Sequence, residues 1–223
     1  MPELILVPTP IGNLEDITLR AIRILKECDY VLAEDTRNTS FLLKHLGIEK
    51  KIISHHAHNE HHTLQQTITH IKTSRMVALV TDAGTPGISD PGFLLVRECL
   101  KEGIKVETLP GATAFVPALV NSGFPCDRFC FEGFLPQKKG RQTRVNDLKD
   151  ETRTMIFYES PFRLVKCLEQ LAEVFGAERL CCVSRELTKM FEENFRGTLE
   201  QAIAHFSAKT VKGEIVLVVK GKE

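Results

Sequence analysis

The chain has 223 residues, of which 43% are hydrophobic and 26% are charged, and these proportions are ordinary for a water-soluble globular protein. Its 29 basic residues equal its 29 acidic residues, so a nucleic-acid partner could bind only through a local basic patch, and DNA is not expected. No apolar stretch approaches the length of a membrane span, and the first apolar run stops at prolines, so neither a membrane partner nor a secretory signal is expected.

The seven cysteines indicate the compartment. They are odd in number and scattered through apparent helices and strands, which is typical of reduced, buried thiols in an intracellular protein. The sequence therefore predicts a cytoplasmic location. Cys126 and Cys130 lie four positions apart but have no second pair that could complete a zinc site, so no metal is expected there.

Strand-like runs alternate with helix-spaced apolar residues through the first half of the chain. Strands are expected at residues 4–7, 30–33, 52–53, 76–80 and 106–109. Because each strand is followed by a helical pattern, the alternation predicts a mainly parallel sheet that is covered on both faces by helices.

The segment 121–128 (NSGFPCDR) breaks this alternation with serine, glycine and proline, and it is the predicted domain junction, which gives domains 1–120 and 121–223. Beyond it, strands are expected at 129–134, 155–158, 180–184, 191–196 and 215–219, with helices near 141–149, 162–175 and 199–206. The fourth of these strands follows the third too closely for a helical crossover, so a hairpin and a mixed sheet are predicted. The expected fold class is thus two α/β domains.

Three loops rich in glycine and proline directly follow strands of the first half. They are residues 8–13 (PTPIGN), 81–92 (TDAGTPGISDPG) and 110–114 (PGATA). The carboxyl ends of parallel strands line one crevice, so the three loops are predicted to meet at a single ligand site. The second loop has carboxylates and hydroxyls but no lysine or arginine, and neither GxGxxG nor GxxxxGK[ST] occurs in the chain, which disfavours NAD and ATP. Tight connecting turns remain the alternative for each loop.

Two further polar segments also follow strands of the first half. Glu34 and Arg37 lie in EDTR, for which a surface ion pair is the alternative. The segment 55–62 (HHAHNEHH) contains five of the eight histidines. Zinc is disfavoured because an HxxH spacing in a loop has no helix to align the imidazoles. His58 could instead accept a proton in the crevice, and a solvated polar loop is the alternative.

The second half contains the densest basic stretch, LPQKKGRQTR at residues 135–144, together with FYESPFR and RELTK directly after strands. A solvated surface is the usual explanation of such a cluster. If the loop overhangs the crevice, it would bind the phosphates of a polyanion in a salt-dependent way.

Nine of these motifs occur in an order that resembles the tetrapyrrole methylase superfamily, and in particular its branch that modifies ribosomal RNA. They are VPTPIGNLEDIT, AEDTR, HNE, DAGTP, SDPG, LPG, DRFCFEGFLP, FYESPFRL and RELTK, and the resemblance that they carry runs from about Leu4 to Gly221. Each motif is weak by itself. Nine in the same order are highly specific.

The resemblance implies a two-domain enzyme that usually works as a homodimer and binds S-adenosylmethionine in a cleft between its domains. Members of this branch methylate the 2′-oxygen of a cytidine ribose in 16S ribosomal RNA, so the implied partner is that RNA or the small ribosomal subunit. Carried over by position, the cofactor contacts are Pro10, Asp82, Ala83, Gly84, Thr85, Ile88, Thr113, Tyr158 and Leu187. S-adenosylmethionine carries no phosphate, which agrees with loops that contain no lysine cradle.

A ribose hydroxyl is a poor nucleophile until it is deprotonated, so a general base is expected, and the candidates are His58, Glu159 and Glu34. Longer members of the branch carry a small helical domain after the last strand, whereas this sequence stops at Glu223. The expected RNA contacts are therefore Arg37, Lys138, Lys139, Arg141 and Arg163. Two alternatives stay open: a methyltransferase for a small, tetrapyrrole-like molecule, and a non-catalytic protein that binds S-adenosylmethionine.

Overall fold

The computed structural model describes residues 3–223, except that the side chains of residues 57–62 lie outside the description. The chain forms two compact units, Met1–Thr113 and Ala114–Glu223. Within the described residues, no helix is both long enough and apolar enough to cross a membrane.

The first unit contains a five-stranded sheet. Its strands are β1 (Glu3–Leu6), β2 (Tyr30–Ala33), β3 (Ile52–Ser54), β4 (Met76–Val80) and β5 (Lys105–Thr108), in the spatial order β3-β2-β4-β1-β5. All four pairings are parallel, which confirms the expected sheet. The connecting helices are α1 (Leu19–Glu27), α2 (Thr36–His45), α3 (Ala57–Lys72) and α4 (Phe93–Lys101).

Strand β4 illustrates why these apolar runs form central strands. Ala78 and Val80 pack in one hydrophobic core, whereas Val77 and Leu79, which point to the opposite face, pack in another. A strand with both faces buried is apolar throughout rather than alternating, because successive side chains enter different cores.

The histidine-rich segment differs from the expected loop. Helix α3 begins at Ala57, so most of the segment is helical rather than irregular. The physical reason is composition: residues 57–72 contain neither glycine nor proline and include alanine, glutamate, leucine and glutamine, which favour helices. Zinc can therefore no longer be disfavoured on the ground that the segment is a loop, and the side chain of His58 lies outside the described residues.

The second unit contains a mixed sheet. Its strands are β6 (Phe129–Phe134), β7 (Thr154–Glu159), β8 (Leu180–Arg185), β9 (Glu193–Thr198) and β10 (Ile215–Val219), in the order β6-β7-β10-β8-β9. Strands β6 and β7 are parallel and the other three pairings are antiparallel, so both the mixed sheet and the β8–β9 hairpin are confirmed. The helices are α5 (Phe115–Ser122), α6 (Arg141–Asp147), α7 (Leu164–Phe175) and α8 (Leu199–Ser207).

Helix α5 sets the boundary between the units. It packs against β8, β9 and β10, so it belongs with the second sheet and the division falls between Thr113 and Ala114. The sequence-based boundary at residues 120 and 121 lies at the other end of this helix. An apolar helix that follows the strands of one sheet and precedes those of another in the sequence can pack on either sheet. Sequence periodicity does not show on which sheet it packs.

Glu193 attaches β9 to α8 and to the neighbouring strand. Its carboxylate accepts hydrogen bonds from Arg185 Nε (3.0 Å), His205 Nε2 (2.7 Å) and Lys209 Nζ (2.5 Å). Burial raises the pKa of Glu193, but the hydrogen bonds from Lys209, His205 and Arg185 outweigh it and lower the pKa from 4.5 to about 2. A lowered folded-state pKa means that this stabilisation is present above the ordinary value and is lost as pH falls from 4.5 towards about 2.

We therefore expect Glu193→Gln to lower the melting temperature at neutral pH, and the difference from the wild type to shrink at about pH 2–3. Thermal unfolding of both proteins across this range measures the effect. Glu178→Gln, at an exposed position, is the control, and its melting curve should follow that of the wild type throughout. A Glu193→Gln difference that stays constant with pH would contradict the assignment.

Candidate functional site

Main-chain bonds join the loops that follow β1 and β4 in the first unit. The N–H of Thr9 donates to Gly84 O (2.9 Å) and the N–H of Gly84 donates back to Thr9 O (3.0 Å). The buried hydroxyl of Thr9 also donates to Thr81 O (3.1 Å). These two loops are thus joined mainly through backbone atoms.

The loop after β5 joins the same assembly. The Thr85 hydroxyl donates to Ala112 O (3.1 Å) and shares a short hydrogen bond with the Thr113 hydroxyl. Gly111 lies against Pro8 so closely that a Cβ at this position would come within 2.6 Å of the Pro8 Cβ. Glycine is required at this approach because any side chain would push the loops after β1 and β5 apart.

The end of β2 also reaches these loops. The Thr81 hydroxyl donates to Glu34 Oε2 (2.7 Å), and the N–H of Asp35 donates to Asp82 Oδ1 (3.1 Å). Asp35 caps α2 through the N–H of Arg37 (2.8 Å), and its carboxylate also holds the exposed Arg37 side chain. The Arg37 hydrogen bonds lower the pKa of Asp35 to about 2. The structure therefore brings together the carboxyl ends of β1, β2, β4 and β5.

Most residues expected to contact a cofactor lie in this assembly. They are Pro10, Asp82, Ala83, Gly84, Thr85, Ile88 and Thr113; among them Gly84 is buried, Asp82 is exposed and the rest are half-buried. Gly84 has φ 86°, a left-handed conformation that suits glycine and strains other residues. Thr9 and Thr81 link the loops but were not singled out from the sequence. The signal that indicates them is a hydroxyl residue at or shortly after a strand end, since Thr81 directly follows β4 and Thr9 lies shortly after β1.

In the second unit, the carboxyl edge of β6 and β7 is organised by Glu159. This carboxylate is buried, and it accepts hydrogen bonds from Arg141 (3.0 Å), Arg163 (2.9 Å) and the N–H of Ser160 (2.8 Å). Arg141 is itself 8% exposed and also donates to Gln170 Oε1 (2.7 Å). Because both Glu159 oxygens are engaged, the ion pair joins the end of β7 to the starts of α6 and α7.

Two ion pairs divide the basic residues of the stretch 135–144 into a paired and an exposed group. Arg141, expected as an RNA contact, points inward to Glu159, and Arg144 binds the bulge residue Glu132 (2.6 Å). Lys138 and Lys139 are exposed, and their side chains form no ion pair or hydrogen bond within the described part of the chain. The basic surface of this loop therefore consists of two lysines, with Arg163 half-buried beside Glu159.

Tyr158 and Leu187, the other two expected cofactor contacts, also lie in the second unit. The ring of Tyr158 meets the rings of Phe131 (5.1 Å between centroids) and Phe134 (5.5 Å), both edge to face. Leu187 lies between Glu186 (φ 53°) and Thr188 (φ 67°), two non-glycine residues in the left-handed region. Backbone strain of this kind costs about 1–3 kcal/mol per residue and concentrates at functional sites.

No group of three or more His, Cys, Asp or Glu side chains that could hold a metal ion is found among those that the structure describes. All seven cysteines are unpaired, and five of them are buried: Cys28, Cys99, Cys167, Cys181 and Cys182.

A family model described as Tetrapyrrole (Corrin/Porphyrin) Methylases matches residues 3–203 of the chain. The chain belongs to the tetrapyrrole methylase family. Several named relatives of this tetrapyrrole methylase share the name Ribosomal RNA small subunit methyltransferase I. The one from Thermotoga maritima is 47% identical over 223 residues, which is 100% of each chain. The one from Halalkalibacterium halodurans is 50% identical over 219 residues, which is 98% of this chain and 75% of that protein.

Solved structures resemble this tetrapyrrole methylase in fold. The crystal structure of uroporphyrin-III-C-methyltransferase from Thermus thermophilus has a TM-score of 0.70 at 20% identity and covers 99% of this chain and 94% of that chain. The crystal structure of diphthine synthase has a TM-score of 0.78 at 15% identity and covers 99% and 90%. These likenesses concern the fold alone. Family membership and the names of the relatives together support a methyltransferase.

Proposed function

We propose that this tetrapyrrole methylase is an S-adenosylmethionine-dependent methyltransferase that acts on RNA of the small ribosomal subunit, at the 2′-oxygen of a cytidine ribose in 16S RNA. The observation that carries the proposal is the 45–50% identity, over 98–100% of this chain, to proteins named Ribosomal RNA small subunit methyltransferase I. A homodimer and a cytoplasmic location remain part of this proposal, and light scattering of the purified protein tests the dimer.

The first unit suits the proposed cofactor in its chemistry. The loops after β1, β2, β4 and β5 offer the hydroxyls of Thr85 and Thr113, the exposed Asp82 carboxylate and main-chain groups near Gly84. S-adenosylmethionine would supply a methyl group on a sulfonium, and its amino acid and ribose groups bind to such donors and acceptors. Pro10, Ala83 and Ile88 would add apolar contacts from the same loops. Tyr158 and Leu187 remain predicted contacts from the second unit.

For the proposed reaction, residues of the site must also hold the ribose hydroxyl and remove its proton. Alignment of the attacking oxygen supplies much of the rate acceleration in a displacement of this kind. Glu34 and His58 are the proposed candidates for the base. Among the described hydrogen bonds, the Glu34 carboxylate accepts from one donor, Thr81, which leaves it able to accept a proton. Glu159 already accepts hydrogen bonds from three donors, so we assign it to positioning Arg141 and Arg163 rather than to proton transfer.

The proposal is tested with labelled S-adenosylmethionine and small ribosomal subunits that lack the modification. We expect label in 16S RNA, in a nucleoside that resists alkaline hydrolysis of its 3′ phosphodiester, since that cleavage needs a free 2′-hydroxyl. Transfer to a porphyrin instead would support the small-molecule alternative. Calorimetric binding of S-adenosylmethionine with no transfer to either substrate would support the non-catalytic alternative.

Lys138 and Lys139 supply a second test of the RNA substrate. We expect Lys138→Gln with Lys139→Gln to weaken RNA binding and to reduce the slope of log affinity against log salt by about 0.7 for each phosphate that is no longer neutralised. Fluorescence anisotropy over a salt series measures both quantities. Lys149→Gln, an exposed position just beyond α6, is the matched control and should leave both unchanged. Unchanged RNA affinity in the double variant would contradict a role of these lysines in RNA binding.

A further inference from the structure

Two exposed phenylalanines lie at the sheet edge from which the loop with Lys138 and Lys139 begins. Phe134, the last residue of β6, is 53% exposed, and Phe162, in the turn after β7, is 94% exposed. Strands β6 and β7 are parallel, with Phe134 opposite Tyr158, so both aromatic residues belong to the same edge of the sheet. Single exposed apolar side chains are common, but here two rings share a sheet edge with two lysines that have no ion pair among the described residues, which gives this edge a mixed aromatic and cationic character.

The backbone beneath this surface is held by a ring contact, by hydrogen bonds within a turn and by one buried ion pair. Phe134 rests edge to face against Tyr158. The turn that carries Phe162 is closed by the Ser160 hydroxyl, which accepts the Phe162 N–H (3.3 Å), and by the Arg163 N–H, which donates to Ser160 O (3.0 Å). Glu159 then joins this turn to Arg141, at the end of the lysine loop (3.0 Å). The rings are presented on anchored backbone, which reduces the entropy lost on binding.

We infer that Phe134 and Phe162 stack against unpaired bases of the RNA substrate while Lys138 and Lys139 contact the flanking phosphates; this inference rests on the proposed function. Every base offers a π-face to an aromatic ring, and positive side chains follow the backbone of a single strand. A duplex does not fit, because its bases are stacked on one another and the major groove of an A-form helix is too narrow for side chains. Charge complementarity favours single-stranded RNA as the partner of this surface, since residues 135–140 contain two lysines and no acidic residue.

The test compares a single-stranded oligoribonucleotide with a duplex of the same sequence, using the whole protein and fluorescence anisotropy. We expect Phe134→Ala and Phe162→Ala each to weaken single-strand binding roughly 5- to 150-fold, the range for loss of one base–aromatic stack. Both alanine variants should bind the duplex as the wild type does. Phe162→Tyr, which keeps an aromatic ring, should bind the single strand with the affinity of the wild type. Phe129→Ala is the matched control, because Phe129 is a partly exposed ring (39%) at the opposite end of the same strand.

Thermal unfolding of each variant identifies any loss of RNA affinity that comes from misfolding. Phe162→Ala should affect packing least, because Phe162 is almost fully exposed. The inference is overturned if both variants bind the single strand as the wild type does, or if they lose single-strand and duplex affinity equally. It is also overturned if the same rings are needed for binding uroporphyrin and not RNA. If the wild type transfers methyl to ribosomal RNA and both variants keep its KM, the inference fails while the proposed function stands. If the wild type transfers none, the proposed function fails as well.

Discussion

Replacing Glu159 with glutamine is expected to lower the free energy of unfolding by about 3–5 kcal/mol, the usual cost of removing one partner of a buried ion pair. Glu159 is 4% exposed and Arg141 is 8% exposed, so the substitution would leave the arginine charge buried without its carboxylate. Chemical denaturation of the wild type and the variant measures this loss.

Two comparisons make the Glu159 result specific. Glu151→Gln removes the partner of Arg153 in a more exposed ion pair, and we expect it to cost about 1 kcal/mol or less. Changing Glu159 to leucine together with Arg141 to methionine should recover much of the lost stability, since apolar residues often replace a buried pair without loss. Equal stability of the Glu159→Gln variant and the wild type would contradict the structural role.

The same variant distinguishes positioning from proton transfer. If Glu159 positions the loop that carries the lysines, Glu159→Gln should raise the KM for RNA while kcat, measured below the melting transition, stays close to that of the wild type. A general base would show the opposite result, with kcat strongly reduced and KM unchanged. That outcome would return Glu159 to the candidates for the base.

Replacing Gly84 with alanine is expected to weaken S-adenosylmethionine binding roughly 5- to 150-fold, measured by calorimetry. At φ 86° an L-residue is strained by about 1–3 kcal/mol, so the loop after β4 would relax towards other conformations. The observed affinity then falls with the fraction of molecules that keep the binding conformation. The added Cβ itself meets its nearest atom, Ile11 Cγ2, at 3.5 Å, so strain rather than collision causes the effect.

Gly47 supplies a matched control for backbone strain. It has φ 65°, lies just beyond the end of α2, and has no atom within 4 Å of an added Cβ. Gly47→Ala should lose a similar amount of stability in thermal unfolding and keep the cofactor affinity of the wild type. Identical cofactor affinities for the two variants would show that the loop around Gly84 does not bind the cofactor.

The sheets could be predicted from the sequence because their cause is local. Strands β2 and β4 are continuous apolar runs, and the short interval between β8 and β9 leaves room only for a hairpin. The start of α3 at Ala57 is harder to predict, because a cluster of histidines fits a polar loop as well as a helix, although the composition of residues 57–72 permits a helix.

The candidate site was only partly predictable. The positions of the loops follow from the order of the strands, since parallel strands end at one edge. The inward turn of Arg141 depends on Glu159, 18 positions along the chain, and the neutralisation of Arg144 depends on Glu132. Neither pairing has a local signal, so the sequence predicts one basic surface from four residues, whereas Arg141 is in a buried ion pair and the exposed Arg144 is paired with Glu132.

The reciprocal bonds between Thr9 and Gly84 affect how this architecture can change over evolutionary time. Every residue has a peptide group. Loops that are joined by main-chain hydrogen bonds therefore stay joined when the exposed side chains that they carry are replaced. Substitutions at Pro10, Ala83 or Ile88 can therefore reshape the surface offered to a ligand without disconnecting one loop from the next. An architecture of this kind can acquire new specificities by point mutation while its framework persists.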